Sequence, residues 1–229
     1  VVSFLIDFIR GAARRKNLTV SVYDVLSLCT AWESTAKAYS EIGHGVRYVD
    51  FFNYGPKYLS PDYAASGNDL IYGAIKRVTW PVGACEDTIL DGERPLGDLA
   101  YVYSVESDYY QRFKSIGMFK TGKERCWDDV LLTACGYHLD VIDGNGVKDF
   151  LKDYRFAFTS EFNLRRDRLT ALVEWVKGGG TLFLTAGALQ YDEFNRPLGF
   201  DAAVGISREP FDYHLCKVDE KFDGWTTTK

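Results

Sequence analysis

The chain has 229 residues, 46% of them hydrophobic and 15% aromatic, enough for one large domain or two modest ones. Its net charge of −5 argues against an electrostatic footprint for nucleic acid. No apolar run approaches the roughly 18 residues that cross a bilayer, so neither nucleic acid nor membrane is expected as a partner. Five cysteines (Cys29, Cys85, Cys126, Cys135, Cys216) are scattered without a C-x-x-C pair. They read as buried free thiols, with no metal cluster and no cofactor expected. The opening VVSFLIDFIRGAARR places its basic residues after the apolar run, the reverse of an export signal, and reads as a helix continuing from something longer.

In chain order, residues 1–15 predict a helix with Phe4, Leu5, Phe8 and Ile9 on one face and basic residues at its C-terminal end. Residues 18–25 (LTVSVYDV) predict a strand, 33–42 a helix stopped by Gly43, and 46–53 (VRYVDFFN) a second strand closed by Tyr54-Gly55-Pro56. Asn68 then caps a helix carrying Leu70, Ile71, Ala74, Ile75 and Val78. That alternation belongs to an α/β layer or barrel. Residues 91–97 (DGERPLG) have the turn formers and charge of a linker.

Beyond the linker a new series begins. Residues 99–105 (LAYVYSV) predict a strand, followed by a polar and aromatic loop through Lys123. The next helix places Trp127, Val130, Leu131 and Ala134 on one face and stops at Gly136. Residues 138–142 predict a strand that turns out through Asp143-Gly144-Asn145-Gly146. Residues 154–159 (YRFAFT), a helix capped by Asn163 and carrying Leu169, Leu172, Val173 and Val176, and 181–185 (TLFLT) form a βαβ unit. Its two strands should run parallel, the second apolar enough to be covered on both faces. The fold class expected is α/β: a flavodoxin-like sheet over 93–229, preceded by a separate unit over 1–92. Past Gly205 the sequence turns polar, with no clear terminal element.

Ligands on such sheets sit beyond the carboxyl ends of the strands. In the second half those ends carry Glu106, Ser107, Asp108, Asp143, Glu161 and the stretch from Gly187 to Glu193. No G-x-C/S-x-G elbow is present to hold a nucleophile, so a catalytic amidotransferase or hydrolase is disfavoured there. Asp192 and Glu193 are adjacent and point apart on extended backbone, which suits an interface or pocket loop better than an acid–base pair. In the first half the strand ends carry Asp24, Asn53 and Tyr54. A carboxylate beside an aromatic platform is what a sugar-processing site uses, although no second acid of equal standing accompanies Asp24.

The stretch 39–56 (YSEIGHGVRYVDFFNYGP) resembles the last barrel strand of family 42-type β-galactosidases and their relatives. Residues 147–195, with VEWVKGGGTLFLTAG and Asp192-Glu193-Phe194-Asn195, resemble the "trimerisation" domain that follows that barrel. In the family this domain keeps the class I glutamine amidotransferase shape without its nucleophile. The resemblance implies a fragment of a glycoside hydrolase acting on β-linked sugars, with 1–92 the end of a β/α barrel and 93–229 the amidotransferase-like domain. It implies a carbohydrate substrate, a homo-oligomer in the full-length protein, Asp24 nearest the family's nucleophilic Glu, and Asn53 and Tyr54 lining the sugar pocket. Asp24 departs from that Glu, and the general acid would lie upstream. The alternative is a non-catalytic carbohydrate-binding or oligomerisation module.

Overall fold

The computed structural model describes residues 2–25, 30–52, 69–92, 94–114, 120–208, 217–218 and 227–228. Helix α1 (Val2–Arg14) is followed by β1 (Ser21–Val25), α2 (Ala31–Gly43) and β2 (Tyr48–Phe52). The two strands pair in parallel, Tyr23 opposite Asp50 and Val25 opposite Phe52, as a helical crossover requires. Thr30 and Glu33 start α2 with a capping box: the Glu33 amide donates to the Thr30 hydroxyl and the Thr30 amide to the Glu33 carboxylate. Helices α3 (Asp69–Ala84) and α4 (Glu86–Asp91) complete this half.

The second half is built on a four-stranded parallel sheet. Its strands are β3 (Leu99–Tyr103), β4 (Leu139–Asp143), β5 (Phe156–Thr159) and β6 (Thr181–Leu184), in the order β4-β3-β5-β6. Between them run α5 (Val105–Lys114), α6 (Lys120–Ala134), α7 (Gly146–Phe150) with a 3-10 turn at Leu151–Asp153, and α8 (Arg166–Lys177); α9 (Phe200–Val204) follows β6. One sheet face packs Ala100, Val102 and Ala157 under Leu172 and Val173 of α8 and Phe200 of α9. The other packs Tyr101, Tyr103 and Val141 under α1. A short antiparallel pair, β7 (Lys217–Val218) with β8 (Thr227–Thr228), lies in the polar stretch expected to hold no clear terminal element.

Helix α1 is the layer shared by both halves. Ile6 and Ala13 pack with Val20 and Val46, while Phe4 and Phe8 meet the rings of Tyr101 and Tyr103 edge-on, at 5.5 and 4.6 Å. Gly11 lets the helix backbone press on β4: a Cβ there would lie 1.9 Å from the Val141 carbonyl oxygen. Charges seal the seam. Asp7 is 1% exposed and receives Arg94 at 2.8 Å and His44 Nδ1 at 2.9 Å. Asp140 pairs with Arg10 and accepts from the Tyr154 hydroxyl at 2.9 Å. Residues 94–97, expected to be a plain linker, are therefore held through Arg94 and through the Gly97 amide, which donates to Asp140.

Five expectations need correction. The cysteines among the described residues are free but not buried: Cys85 and Cys135 are exposed and Cys126 is half-buried. The chain beyond Tyr103 is helical as α5, because Glu106 and Asp108 favour the positive end of a helix and Ser104, bonded to Glu106, closes the entry. Strand β6 is not covered on both faces: it is the last strand of its sheet, and Phe183 is 51% exposed. Asn163 does not cap α8; its side chain donates to the Asp192 carbonyl, and the Glu193 carboxylate takes the Arg166 amide at 2.8 Å instead. The apolar stripe of α6 faces out: Trp127, Val130 and Leu131 are exposed while Arg125 and Asp129 are buried. Sequence periodicity identifies an apolar face but not which face a buried ion pair will claim.

Candidate functional site

Asp24, at the carboxyl end of β1, points toward α2. Its side chain is 0% exposed and lies 2.7 Å from the Lys37 ammonium, which also stands 3.9 Å from Glu41. Ser34 and Glu41 share the buried side of α2 with it. The Glu41 carboxyl is pushed up to about 7, first by burial and then by the charge of Asp24, with Lys37 opposing. Apart from that ammonium, no donor among the described residues reaches the Asp24 oxygens, and Ser34 Oγ and Glu41 Oε2 are likewise without a hydrogen bond. Such unsatisfied buried atoms are costly and uncommon.

The opposite face of β1 and β2 is open. Tyr23 is 72% exposed, Tyr48 and Phe52 lie beside it uncovered, and the Tyr23 and Phe52 rings stand 6.1 Å apart, nearly perpendicular. Asp50 is exposed on this face, in register with Tyr23. Asn53 and Tyr54 lie outside the described residues. Of the wall expected from Asp24, Asn53 and Tyr54, the structure thus locates only Asp24, on the covered side of its strand.

A second cluster fills the carboxyl ends of β3 and β5. Arg125 of α6 grips Glu161 through two parallel bonds of 2.6 and 2.7 Å and reaches Asp108 at 2.5 Å. Its guanidinium lies 4.6 Å over the Tyr103 ring, whose hydroxyl donates to Asp108. Tyr101 shares a 2.7 Å hydrogen bond with Ser160, which donates to Asp128 at 2.8 Å. Burial, the largest single cause, pulls Arg125 down, but Glu161 and Asp108 together outweigh it and hold the guanidinium charged. Burial in turn raises the Glu161 carboxyl against the pull of Arg125. Bidentate, ring-stacked arginine is the geometry that lets two charges share a buried site.

The serine hydroxyl in this cluster has no histidine beside it among the described residues. Ser160 has an aspartate and a tyrosine as partners, and no hydrogen bond joins a serine or cysteine to a histidine among the described residues. Nor does any group of three or more His, Cys, Asp or Glu among them suit a metal ion. The strand ends named Asp108 and Glu161 as candidates; Arg125 was missed because it sits on the charged side of a helix whose apolar side drew attention.

Asp192 and Glu193 have their carboxylates engaged within the chain. Asp192 accepts the amides of Phe194 and Arg196 at 2.9 and 2.8 Å and the Arg166 guanidinium at 2.9 Å. Burial, the largest single cause, pulls its carboxyl up, but these bonds together outweigh it and hold the group below the usual range. With Glu193 on the first turn of α8, the loop works as a clasp between β5, α8 and residues 190–198.

No protein-family model and no curated protein matches the sequence. Solved structures do match the fold. The family 42 β-galactosidase Gan42B superimposes on 86% of this chain with a TM-score of 0.65 and 15% identity. A catalytic mutant of Gan42B from G. stearothermophilus gives 0.64 and 16%, and the β-galactosidase of Rahnella sp. R3 gives 0.65 and 15% over 85% of this chain. In each case the match spans 31% of the larger protein. The chain therefore has the fold of about a third of a family 42 β-galactosidase.

Proposed function

We propose that this chain is part of a glycoside hydrolase acting on β-linked sugars, and that its two halves divide the labour. Residues 1–92 are read as the end of a β/α barrel contributing one wall of a sugar pocket. Residues 93–229 are read as a flavodoxin-like, amidotransferase-like unit that serves assembly or pocket closure without chemistry of its own. The observation that carries the reading is the shared arrangement over 86% of the chain with a family 42 β-galactosidase. The strand order β4-β3-β5-β6 supports the flavodoxin-like description, since it is the second-first-third-fourth order of that fold. The absence of a nucleophile–histidine pair among the described residues supports a silent second half.

In this reading Asn53 and Tyr54 line the pocket. Asp24, facing Lys37, secures the end of β1 and does not meet the sugar with its own oxygens. A second reading, a non-catalytic carbohydrate-binding or oligomerisation module, is favoured by the complete burial of Asp24, the only acid the sequence nominated for attack. The test is a binding and turnover assay of the 229-residue chain with nitrophenyl β-galactoside and a panel of β-linked disaccharides. Weak binding without hydrolysis is expected. Hydrolysis by the chain alone would overturn the division of labour, and no binding to any β-linked sugar would overturn the glycoside reading.

A further inference from the structure

We propose that His44 is a proton-operated clasp on the junction of the two halves, tightening it when the imidazole is charged and slackening it when the ring is neutral. His44 caps the C-terminal end of α2, and its Nδ1 lies 2.9 Å from Asp7 of α1. Asp7 also takes Arg94, from the segment that joins the halves, at 2.8 Å, and Arg10 at 3.2 Å. One carboxylate, 1% exposed, thus ties together α2, the shared helix and the joining segment. The clasp is independent of the glycoside reading.

Charges reach the ring from every element packed around it. Helix α1 supplies Asp7 and Arg10, whose Nη1 also donates to the His44 carbonyl at 3.4 Å. Residues 94–97 supply Arg94, and α6 supplies Asp129, itself bonded to Ser3 at 2.9 Å. Strand β4 supplies Asp140, which pairs with Arg10 and stands 3.7 Å from Arg94. Among these side chains three carboxylates, Asp7, Asp129 and Asp140, face two guanidiniums, so a protonated ring brings the group to balance. The hydrogen bond to Asp7 is the largest cause acting on the imidazole and pushes its pKa up; the charges of Asp7 and Asp129 add to it, against burial and the amino-terminal charge. The ring is not sealed in. Its side chain is 24% exposed, and with Asp7, Arg94 and His138 it lines a hollow of about 510 Å³ through which a proton can come and go.

A neutral ring can still donate to Asp7 as its Nδ1–H tautomer. Deprotonation therefore removes a charge and not a contact, and the halves slacken without parting, because Phe4, Ile6, Phe8 and Ala13 of α1 stay packed on both. A histidine that keeps its proton above the ordinary pH of 6.5 binds it more tightly in the folded chain. Its contribution is complete below 6.5 and is lost as pH rises through the folded value.

The experiment follows the imidazole signals and the amide protection factors of the full chain by nuclear magnetic resonance from about pH 5.5 to 9, with circular dichroism to confirm folding. His44→Asn keeps a donor near the Nδ1 position but cannot titrate, and it identifies which of the three histidine signals is lost. In the unaltered chain that signal should titrate above 6.5, and protection of the Gly97 and α1 amides should fall roughly threefold or more across the same midpoint. His44→Asn should lose most of that fall. A fall of equal size in His44→Asn would assign it to another group, such as Glu41, and overturn the clasp. A His44 signal that titrates at or below 6.5, or junction amides that ignore its midpoint, would overturn it too. Through-bond assignment of the His44 ring gives both readings from the unaltered chain even where the variant fails to fold.

Discussion

Asp24 and Glu161 are both carboxylates at most 2% exposed beside the carboxyl end of a parallel strand, yet their surroundings differ sharply. Glu161 meets a guanidinium through two bonds, with Asp108 and the Tyr103 ring completing the arginine's shell. Asp24 shares one lysine ammonium with Glu41, and two carboxylates compete for a single positive charge. A planar fork satisfies several lone pairs at once, whereas an ammonium supplies a point charge. The Arg125–Glu161 cluster has its charges paired at the carboxyl ends of β3 and β5. The Asp24 cluster is under-satisfied, and its half carries an open aromatic face on the other side of the same strands.

The largest break in this comparison should come from Glu161→Ala. It leaves Arg125 buried with only Asp108, and loss of one partner of a buried pair costs roughly 3–5 kcal/mol. Denaturant unfolding would read the loss, and the double replacement Arg125→Met with Glu161→Leu should recover much of it. Next is Gly11→Ala, whose methyl would collide with the Val141 carbonyl and force α1 off β4. Overpacking of this kind costs about 2–3 kcal/mol, with the two halves losing protection together in hydrogen exchange.

Glu41→Gln should act in the opposite direction. The folded chain holds the Glu41 proton up to about pH 7, the unfolded chain only to about 4.5, so between those values the folded state binds more protons. Stability from this group is present below pH 4.5 and falls as pH rises to 7. The amide removes that loss, so melting curves should show a gain on the order of 2 kcal/mol above pH 7 and almost none below pH 4.5. The smallest effect expected is Thr30→Ala, which opens the α2 capping box and costs about 1 kcal/mol.

Much of the fold was legible because local signals agreed with burial. The strands at 99–103, 139–143, 156–159 and 181–184 are apolar runs bounded by turn formers, and Gly178 does end α8. Two kinds of feature were not legible. The first is long-range polar pairing: Arg125 and Glu161 are 36 residues apart, and nothing in the local pattern says that a helix will bury its arginine and expose its tryptophan. The second is which face of a strand a residue serves. Asp24 lies at a strand end as expected, but one position along β1 decides between the covered face and the open face of Tyr23. The same limit applies to Asp192 and Glu193, whose carboxylates are taken up by backbone amides that only the folded loop brings near.

On the proposed division of labour, sugar is met by the carboxyl ends of β1 and β2, while the Arg125–Glu161 cluster of the second sheet takes no part in binding it. Mapping backbone amide shifts by nuclear magnetic resonance during a titration with methyl β-galactoside tests it most directly. Perturbations confined to β1, β2 and the residues that follow them, with Arg125, Ser160 and Glu161 unmoved, are the predicted result. Perturbations centred on Arg125, Ser160 and Glu161 would contradict it.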